Sequence, residues 1–365
     1  MKYIFKYLKT LVFHIFYGKV REVISVKKNA NIKTTKIILQ KKFSYNIFEI
    51  KNAILYNGQI NDCAIISEKK LINEASYQYR LKNKFYVING PSSKNIVLKI
   101  GTPSIRKNIP GSILSTLSGG AGKHNYFHWL FDVLPRLAIL ENAKNIASPD
   151  YYLMPSLQHA YQRETLKKLN ISFSKLLDGK KNKHIFCNKL FVVNHPYVLN
   201  NDPTKSILNI PSWIVKWLQI KLKPLKQSKK KYPQNIFIDR SDSSSTKTRY
   251  IVNDNDVKST LISIGFKIIV LSNLTFEEQV RTFQNARVVV GLHGAGFANI
   301  IFSRVGTKII ELQSPDAGDL YKNLAKTCKL NYKKISVQSE DQKLIHQHGN
   351  IFIDTKRLKK IIFSK

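Results

Sequence analysis

The stretch Val288-Val289-Val290-Gly291-Leu292-His293-Gly294-Ala295-Gly296-Phe297-Ala298-Asn299-Ile300-Ile301-Phe302 reads as a strand, a glycine-rich turn and the start of a helix. Three β-branched apolar residues in succession suit a buried strand. The glycines let a backbone approach a ligand that a Cβ would hold off. A helix start offers unpaired N–H groups and a positive dipole end to an anion. His293 stands where the strand ends and could donate a hydrogen bond to a phosphate or leaving group. Glycines after a strand also serve as plain turn chemistry, and these residues alone do not separate the two readings.

Working outward, strands and helices alternate on both sides of this stretch. Asn235-Ile236-Phe237-Ile238-Asp239-Arg240 is a strand with a charged end, and a polar loop from Ser241 to Lys247 leads to Arg249-Tyr250-Ile251-Val252-Asn253-Asp254. Asn253 is a candidate cap for a helix over 255–264. A strand over 266–271, a helix over 276–283 and a strand over 307–311 follow. That order predicts a parallel, doubly wound sheet with right-handed crossovers, whose ligands bind at the carboxyl ends of its strands. Arg240, His293 and Glu311 are expected at such ends. Glu311 falls 20 residues after Gly291, roughly the separation at which an acidic side chain meets ribose hydroxyls in nucleotide-binding folds. Arg240 and Arg249 could clamp a diphosphate bidentately, as lysine cannot.

The first half is organised differently. Residues 1–22 mix aromatic and aliphatic residues with Lys2, Lys6 and Lys9. The apolar run within them is shorter than the roughly 20 residues that span a bilayer. It lacks a cleavage site for a signal peptide. An amphipathic helix lying on an anionic membrane surface and a helix packed on the protein's own core both fit. From Val23 to Lys99, short β-branched runs such as Lys36-Ile37-Ile38-Leu39 and Asn95-Ile96-Val97-Leu98 predict a small β-rich segment, with turns at Asn57-Gly58 and Asn89-Gly90-Pro91. Gly119-Gly120-Ala121-Gly122 then punctuates the chain. Beyond it, Phe127, Leu130, Phe131, Leu134 and Leu137 share one face of a predicted helix, which Pro135 should end or kink. His124, His128, Asp132 and Arg136 follow at successive i+4 steps, a continuous polar stripe that drifts about 40° per step. A strand over 151–154, a helix over 157–169 and a strand over 190–193 continue an α/β layer.

The stripe admits three chemistries. It could be a hydrogen-bonded structural network. It could hold a metal through His124 and His128, although Asn125 stands where a zinc hydrolase helix would place its glutamate. An acid/base site is favoured: His128 or Asp132, with Asp132 the first choice, takes a proton while Arg136 holds a charge.

Composition bounds the function. The chain has 365 residues and a hydrophobic content of 43%, enough for two packed domains. The net charge of +37 would suit nucleic acid or an anionic membrane, but only 11 of the 60 basic residues are arginine. Base-reading patches of arginine interleaved with aromatics are missing, so no nucleic-acid partner is expected. Cys63, Cys187 and Cys328 form no CxxC and suggest neither disulfide framework nor zinc site. The lysine run from Lys221 to Pro233 reads as a linker. The expected division is therefore an amphipathic segment at 1–22, a first domain at 23–220, a linker at 221–233, a second domain at 234–340 and a tail helix within 341–365 that folds back on the first domain.

Three motifs in order resemble glycosyltransferase family 61. They are His128-Trp129-Leu130-Phe131-Asp132-Val133-Leu134-Pro135-Arg136-Leu137, then Ile238-Asp239-Arg240 with Arg249-Tyr250-Ile251-Val252-Asn253-Asp254, then Gly291 to Phe302 followed by Glu311. Together they cover Ser115 to Ser314. Asp239 and Asp254 depart from the serine and glutamate usual in the family and bear on donor identity. The resemblance implies an α/β, GT-B-like fold of two Rossmann-like domains preceded by the β-rich segment. It implies inverting transfer from a nucleotide-sugar, without an essential divalent metal or other cofactor, as in capsular and lipopolysaccharide transferases. On this reading Asp132 or His128 is the base, with His124, Asn125 and Arg136 supporting on the acceptor side. Arg240, Arg249, Asn253, His293, Gly294, Ala295, Gly296 and Glu311 bind the donor. The expected acceptor is a lipid-linked glycan or growing polysaccharide, and the expected location is the cytoplasmic face of the cell membrane. Two competing classes remain in view: a non-catalytic lysine-rich protein binding anionic membrane or nucleic acid, and a metal hydrolase.

Overall fold

The computed structural model describes residues 2–17, 20, 22–59, 62–76, 78–80, 84–86, 95, 97–98, 104–117, 124–199, 202–224, 227–242, 249–338 and 349–364. Gly119 to Gly122, Asn89-Gly90-Pro91 and most of the polar loop after Ser241 lie outside them. The chain divides into two compact units, 1–207 and 208–365.

The first unit begins with α1 (Lys2–Tyr17) and continues through β1 (Glu22–Ile24), β2 (Ile32–Leu39), β3 (Phe43–Gln59), β4 (Asp62–Ser67) and β5 (Lys70–Ile72). A separate two-stranded pair, β6 (Gln78–Arg80) with β7 (Lys84–Tyr86), precedes β8 (Lys107–Ser115). Then come α2 (126–141), β9 (Tyr151–Met154), α3 (Ala160–Lys168), β10 (Leu176–Asp178) and β11 (His184–Val193). Among the described residues these strands form one nine-stranded sheet in the order β1-β5-β4-β3-β11-β8-β9-β10, with β2 paired to β3. It is a mixed sheet, not parallel throughout. β3 runs antiparallel to β2, β4 and β11, whereas β11-β8-β9-β10 is parallel throughout. The expected β-rich segment and the α/β layer are thus one mixed sheet, joined by the long strand β3.

Two local expectations change with it. Asn57-Gly58 is no hairpin turn but part of β3, where the register against β4 shifts between Tyr56 and Gln59. Val97 and Leu98 are helical rather than extended, and the Asn95 Oδ1 accepts the Val97 N–H at 2.9 Å.

β8 leads through α2 to β9, and β9 through α3 to β10, each a parallel step in the same direction. β11 lies on the other side of β8. The crossover direction therefore reverses between β8 and β11, and the crevice at their carboxyl ends is where such a sheet accommodates chemistry. Ile113, Leu153, Ile185 and Leu190 pack in the core beneath it.

The second unit opens with α4 (Ser212–Leu222), followed by β12 (Asn235–Asp239), α5 (Asp254–Ser263), β13 (Lys267–Val270), α6 (Phe276–Asn285) and β14 (Val288–Leu292). After a 3₁₀ segment at Ala295–Phe302 come β15 (Lys308–Gln313), α7 (Leu320–Thr327), β16 (Asn331–Ser336) and α8 (Thr355–Phe363). All four strand pairings are parallel, in the order β13-β12-β14-β15-β16. The doubly wound sheet expected around Val288 is present, and its switch point falls between β12 and β14. α6 is held by a capping box in which the Thr275 hydroxyl accepts the Glu278 N–H.

The division between units falls earlier than the lysine run. α4 packs on the 3₁₀ segment, and the Gln219 amide donates to the Ile301 carbonyl at 2.6 Å. Residues 221–233 are therefore a connection inside the second unit. α8, capped by Asp354, also belongs there: Leu358 and Ile362 enter the same core as Val290 and Ile310. The tail completes its own unit, where the sequence suggested that it returns to the first.

Candidate functional site

α2 carries the first cluster. Its opening turn, Tyr126–His128, is capped by Asn125, whose Oδ1 accepts the N–H groups of Phe127 and His128 at 3.0 and 3.4 Å. The Asn125 side chain is therefore occupied by the helix itself. Residues Trp129–Val133 then form a π-helical turn, in which the Leu134 N–H reaches back to the Trp129 carbonyl. A proline crowds the carbonyl four residues before it and supplies no N–H. The wider turn absorbs that defect, so the helix runs through Pro135 to Glu141 instead of ending there.

The π turn sets the chemistry. The His128 Nδ1 lies 2.8 Å from Asp132 Oδ2, and His195 Nε2 lies 3.6 Å from the same oxygen. Asp132 is 1% exposed and its Oδ1 has no hydrogen-bond partner among the described residues, whereas His128 is 25% exposed. His195, just past β11, accepts the backbone N–H groups of Tyr197 and Val198 on Nδ1, so its proton sits on Nε2, facing Asp132. Buried Arg136 reaches backbone carbonyls on two elements. Its Nε donates to the Asp132 backbone carbonyl at 2.8 Å and its Nη1 to the Val193 carbonyl at 3.2 Å. It ties α2 to the end of β11, at the reversal between β8 and β11.

Burial alone would raise the Asp132 carboxyl, but the charge and hydrogen bond of His128, with His195 behind, hold it well below the usual carboxylate range. Burial would lower His128, but Asp132 outweighs it and lifts the ring above its ordinary value of 6.5. Burial pushes His195 down despite Asp132, which keeps it neutral. Asp132, the first choice as base, is thus the buried member of the pair, and His128 is the more exposed one.

His124 is not part of this helix. It precedes the cap, and its Nδ1 lies 3.2 Å from His159 Nε2 in an exposed pair. His124 and His128 are thus engaged by different partners. Among the described residues no three His, Cys, Asp or Glu side chains gather as a metal site.

The second cluster lies at the switch point of β12 and β14. Arg240, the residue after β12, donates from Nη1 to the His293 carbonyl. Its guanidinium lies against Gly294: a Cβ there would stand 2.4 Å from Nη1. At Gly296 a Cβ would stand 2.8 Å from Leu271 Cδ1. These glycines are required by close approach, not by a left-handed backbone. Arg249 lines the same cleft as Arg240, together with Phe237, Tyr250, Ile251 and Asp254, around about 230 Å³. Burial and the Arg240 charge push the Arg249 guanidinium down to about 10. Two partly buried cations at one crevice favour an anion as their ligand.

His293 and Glu311 form the counterpart of the first pair. His293 Nδ1 lies 2.5 Å from Glu311 Oε1, and the Tyr332 hydroxyl donates to Oε2 at 2.5 Å. Glu311 is fully buried, mid-strand in β15 and opposite Gly291. It lies in mid-strand rather than at the expected strand end, with one oxygen on His293 and the other on Tyr332. The Tyr321 ring packs on His293 at 5.1 Å. Asn253 makes no cap bond, and its amide exchanges two 2.9 Å bonds with the backbone of Ile353. Ala295 and Gly296 begin the 3₁₀ segment rather than an α-helix, so the dipole there is short.

His195, Tyr321 and Tyr332 escaped the sequence reading. His195 follows the strand 190–193 by two residues, and the strand-end rule applied there would have found it.

Compared with known proteins, residues 126–310 match the family model Glycosyltransferase 61, half of the chain. The match begins at the first residue of α2 and ends one residue before Glu311. No curated protein sequence matches the chain.

Proposed function

The chain belongs to glycosyltransferase family 61, and from that premise we propose an inverting transfer of a sugar from a nucleotide-sugar to a glycan acceptor. The observation that carries this reading is the pair Arg240 and Arg249 lining one crevice at the switch point of a parallel sheet. A diphosphate is the part of such a donor that two guanidinium groups hold best.

In the proposed reaction the acceptor hydroxyl gives its proton to His128 Nε2. Asp132, on Nδ1, holds the ring and stabilises the imidazolium that forms. The hydroxyl oxygen attacks the anomeric carbon, and the bond from that carbon to the diphosphate oxygen breaks. The electron pair leaves with the nucleoside diphosphate. A single displacement of this kind inverts the anomeric centre. Arg240, Arg249 and the N–H groups after Gly294 meet the charge that develops on the leaving group. On this reading Glu311 fixes His293 through Nδ1 beside the donor. We propose a lipid-linked or growing surface polysaccharide as acceptor, at the cytoplasmic face of the cell membrane, and no resident metal or other cofactor.

The test is a thermal-shift series against nucleotide-sugars, followed by assay of nucleoside diphosphate release with candidate acceptors. A ligand at 100 times its dissociation constant stabilises by about 2.7 kcal/mol. One nucleotide-sugar is expected to raise the melting temperature, with Arg240→Ala abolishing the rise. If no nucleotide or nucleotide-sugar shifts the melting and no diphosphate is released, the donor reading fails.

A further inference from the structure

Among the described side chains of α1, Phe13 is buried and most of the others are exposed. Phe13 is 1% exposed, edge-on to Tyr56 at 5.2 Å and to His184 at 5.8 Å, in a cluster with Ala64, Ile66 and Val97. Successive helical residues are about 100° apart. Tyr3, Ile4, Tyr7, Leu8, Leu11 and Ile15 therefore fall between about 80° and 180° from Phe13 around the axis. They form a single apolar face turned away from the anchor, and each is 43% to 88% exposed. Isolated exposed apolar residues are ordinary, but a contiguous face of this kind marks a contact surface.

Charge selects what covers it. The helix sequence holds Lys2, Lys6 and Lys9 and no acidic residue. Lys9 is exposed, with its ammonium 5.0 Å from the centre of the Phe5 ring. The chain as a whole carries +37. A second copy would bring the same charge against this face, whereas an anionic bilayer attracts it. Among the described residues no helix is long and apolar enough to cross a membrane, so the helix would lie in the surface. Tyrosines at positions 3 and 7 suit that depth, with rings in the acyl boundary and hydroxyls among headgroups.

We propose that α1 docks the protein on an anionic lipid bilayer, with Phe13 pinning the helix so that its apolar face enters the headgroup–acyl boundary. This does not rest on the transferase reading, and its assay contains no nucleotide-sugar, so each can fail without the other. The full chain is mixed with vesicles of phosphatidylglycerol and, separately, of phosphatidylcholine, and the floated fraction is measured. Binding is expected to phosphatidylglycerol, with at least a tenfold weaker partition to phosphatidylcholine. Leu8→Asp with Ile15→Asp, both at exposed positions, is expected to reduce partition to phosphatidylglycerol at least tenfold with an unchanged melting temperature. The proposal is overturned if the double variant floats as well as the parent or if the parent binds neither vesicle. It is equally overturned if light scattering shows a dimer that the double variant makes monomeric, because the face would then belong to a second copy.

Discussion

Each unit holds a histidine–carboxylate pair at the reversal of its own sheet, and the two pairs are built to opposite ends. In the first, His128 and Asp132 sit one π turn apart on a single helix, and the ring stays partly exposed while the carboxylate is buried. One oxygen of Asp132 has no partner among the described residues, and a second histidine approaches the other. In the second, His293 and Glu311 come from adjacent strands, and both glutamate oxygens are taken, by the ring and by Tyr332. In the first pair the partly exposed ring takes its raised proton affinity from the buried carboxylate. On the proposed reading the second pair fixes His293 beside the donor. On that reading the same two residue types serve proton transfer in one setting and positioning in the other, and the two differ in burial and in the number of bonds made.

The comparison breaks most easily at His128. His128→Ala is expected to lower the transfer rate by about 10²- to 10⁴-fold, the usual worth of a positioned acid or base, while nucleotide-sugar binding in a thermal-shift assay is unchanged. Retention of more than a tenth of the rate would remove the proton-transfer role from the first pair.

Asp132→Asn is expected to cost about 10- to 10³-fold in rate and to move the pH profile. Transfer requires neutral His128, so the wild-type rate rises with pH through a value above 6.5. Without the carboxylate, burial is no longer opposed and the His128 value falls, so the acid limb shifts to lower pH. Stability carries its own signature. The raised His128 value contributes stability that is full below 6.5 and is lost as pH rises through the folded value. The lowered Asp132 value contributes stability present above 3.8 and lost as pH falls. The melting-temperature gap between wild type and variant should accordingly be widest between those limits and close on both sides. An acid limb left in place would show that His128 is not the titrating group.

Gly294→Ala addresses the second cluster through its tightest contact. The added methyl would meet the far end of Arg240, a flexible side chain, so folding should change little while the guanidinium shifts. About a tenfold weaker nucleotide-sugar affinity is expected by calorimetry, roughly 1.4 kcal/mol, with the pH profile unaltered. Unchanged affinity would place the diphosphate elsewhere.

How much of this could be read from the chain depended on the range of the interaction. The second sheet was legible because Val288 to Val290 and its neighbouring strands are short, apolar and separated by amphipathic helices, a local pattern. The first sheet was not: β3 pairs Phe48 with Val192 and Ile50 with Leu190, contacts across most of the unit that no periodicity records. The same divide runs through the site. The His128–Asp132 contact follows from helical spacing, but the roles within it follow from which side chain is buried, and that depends on β11 and His195. Glu311 was expected at a strand end from its distance to Gly291 along the chain, whereas the strand register places it in mid-strand opposite that glycine. Asn253 was expected as a helix cap, whereas its partner, Ile353, lies 100 residues on.

Tyr332→Phe tests the locked half of the comparison with the smallest expected change in rate. The hydroxyl donates to Glu311 Oε2, and without it a buried carboxylate oxygen loses its donor. Leaving such a group unsatisfied costs roughly 1–3 kcal/mol of folding stability, readable as a lowered urea midpoint with an unchanged slope. Glu311 still holds His293 through Oε1, so the ring keeps its place and the rate should fall only a few-fold. If Glu311 instead took part in proton transfer, loss of the Tyr332 bond would change its basicity and the pH–rate profile with it. A shifted profile in Tyr332→Phe would therefore move the second pair into the class of the first, whereas a stability loss with a fixed profile keeps the two apart.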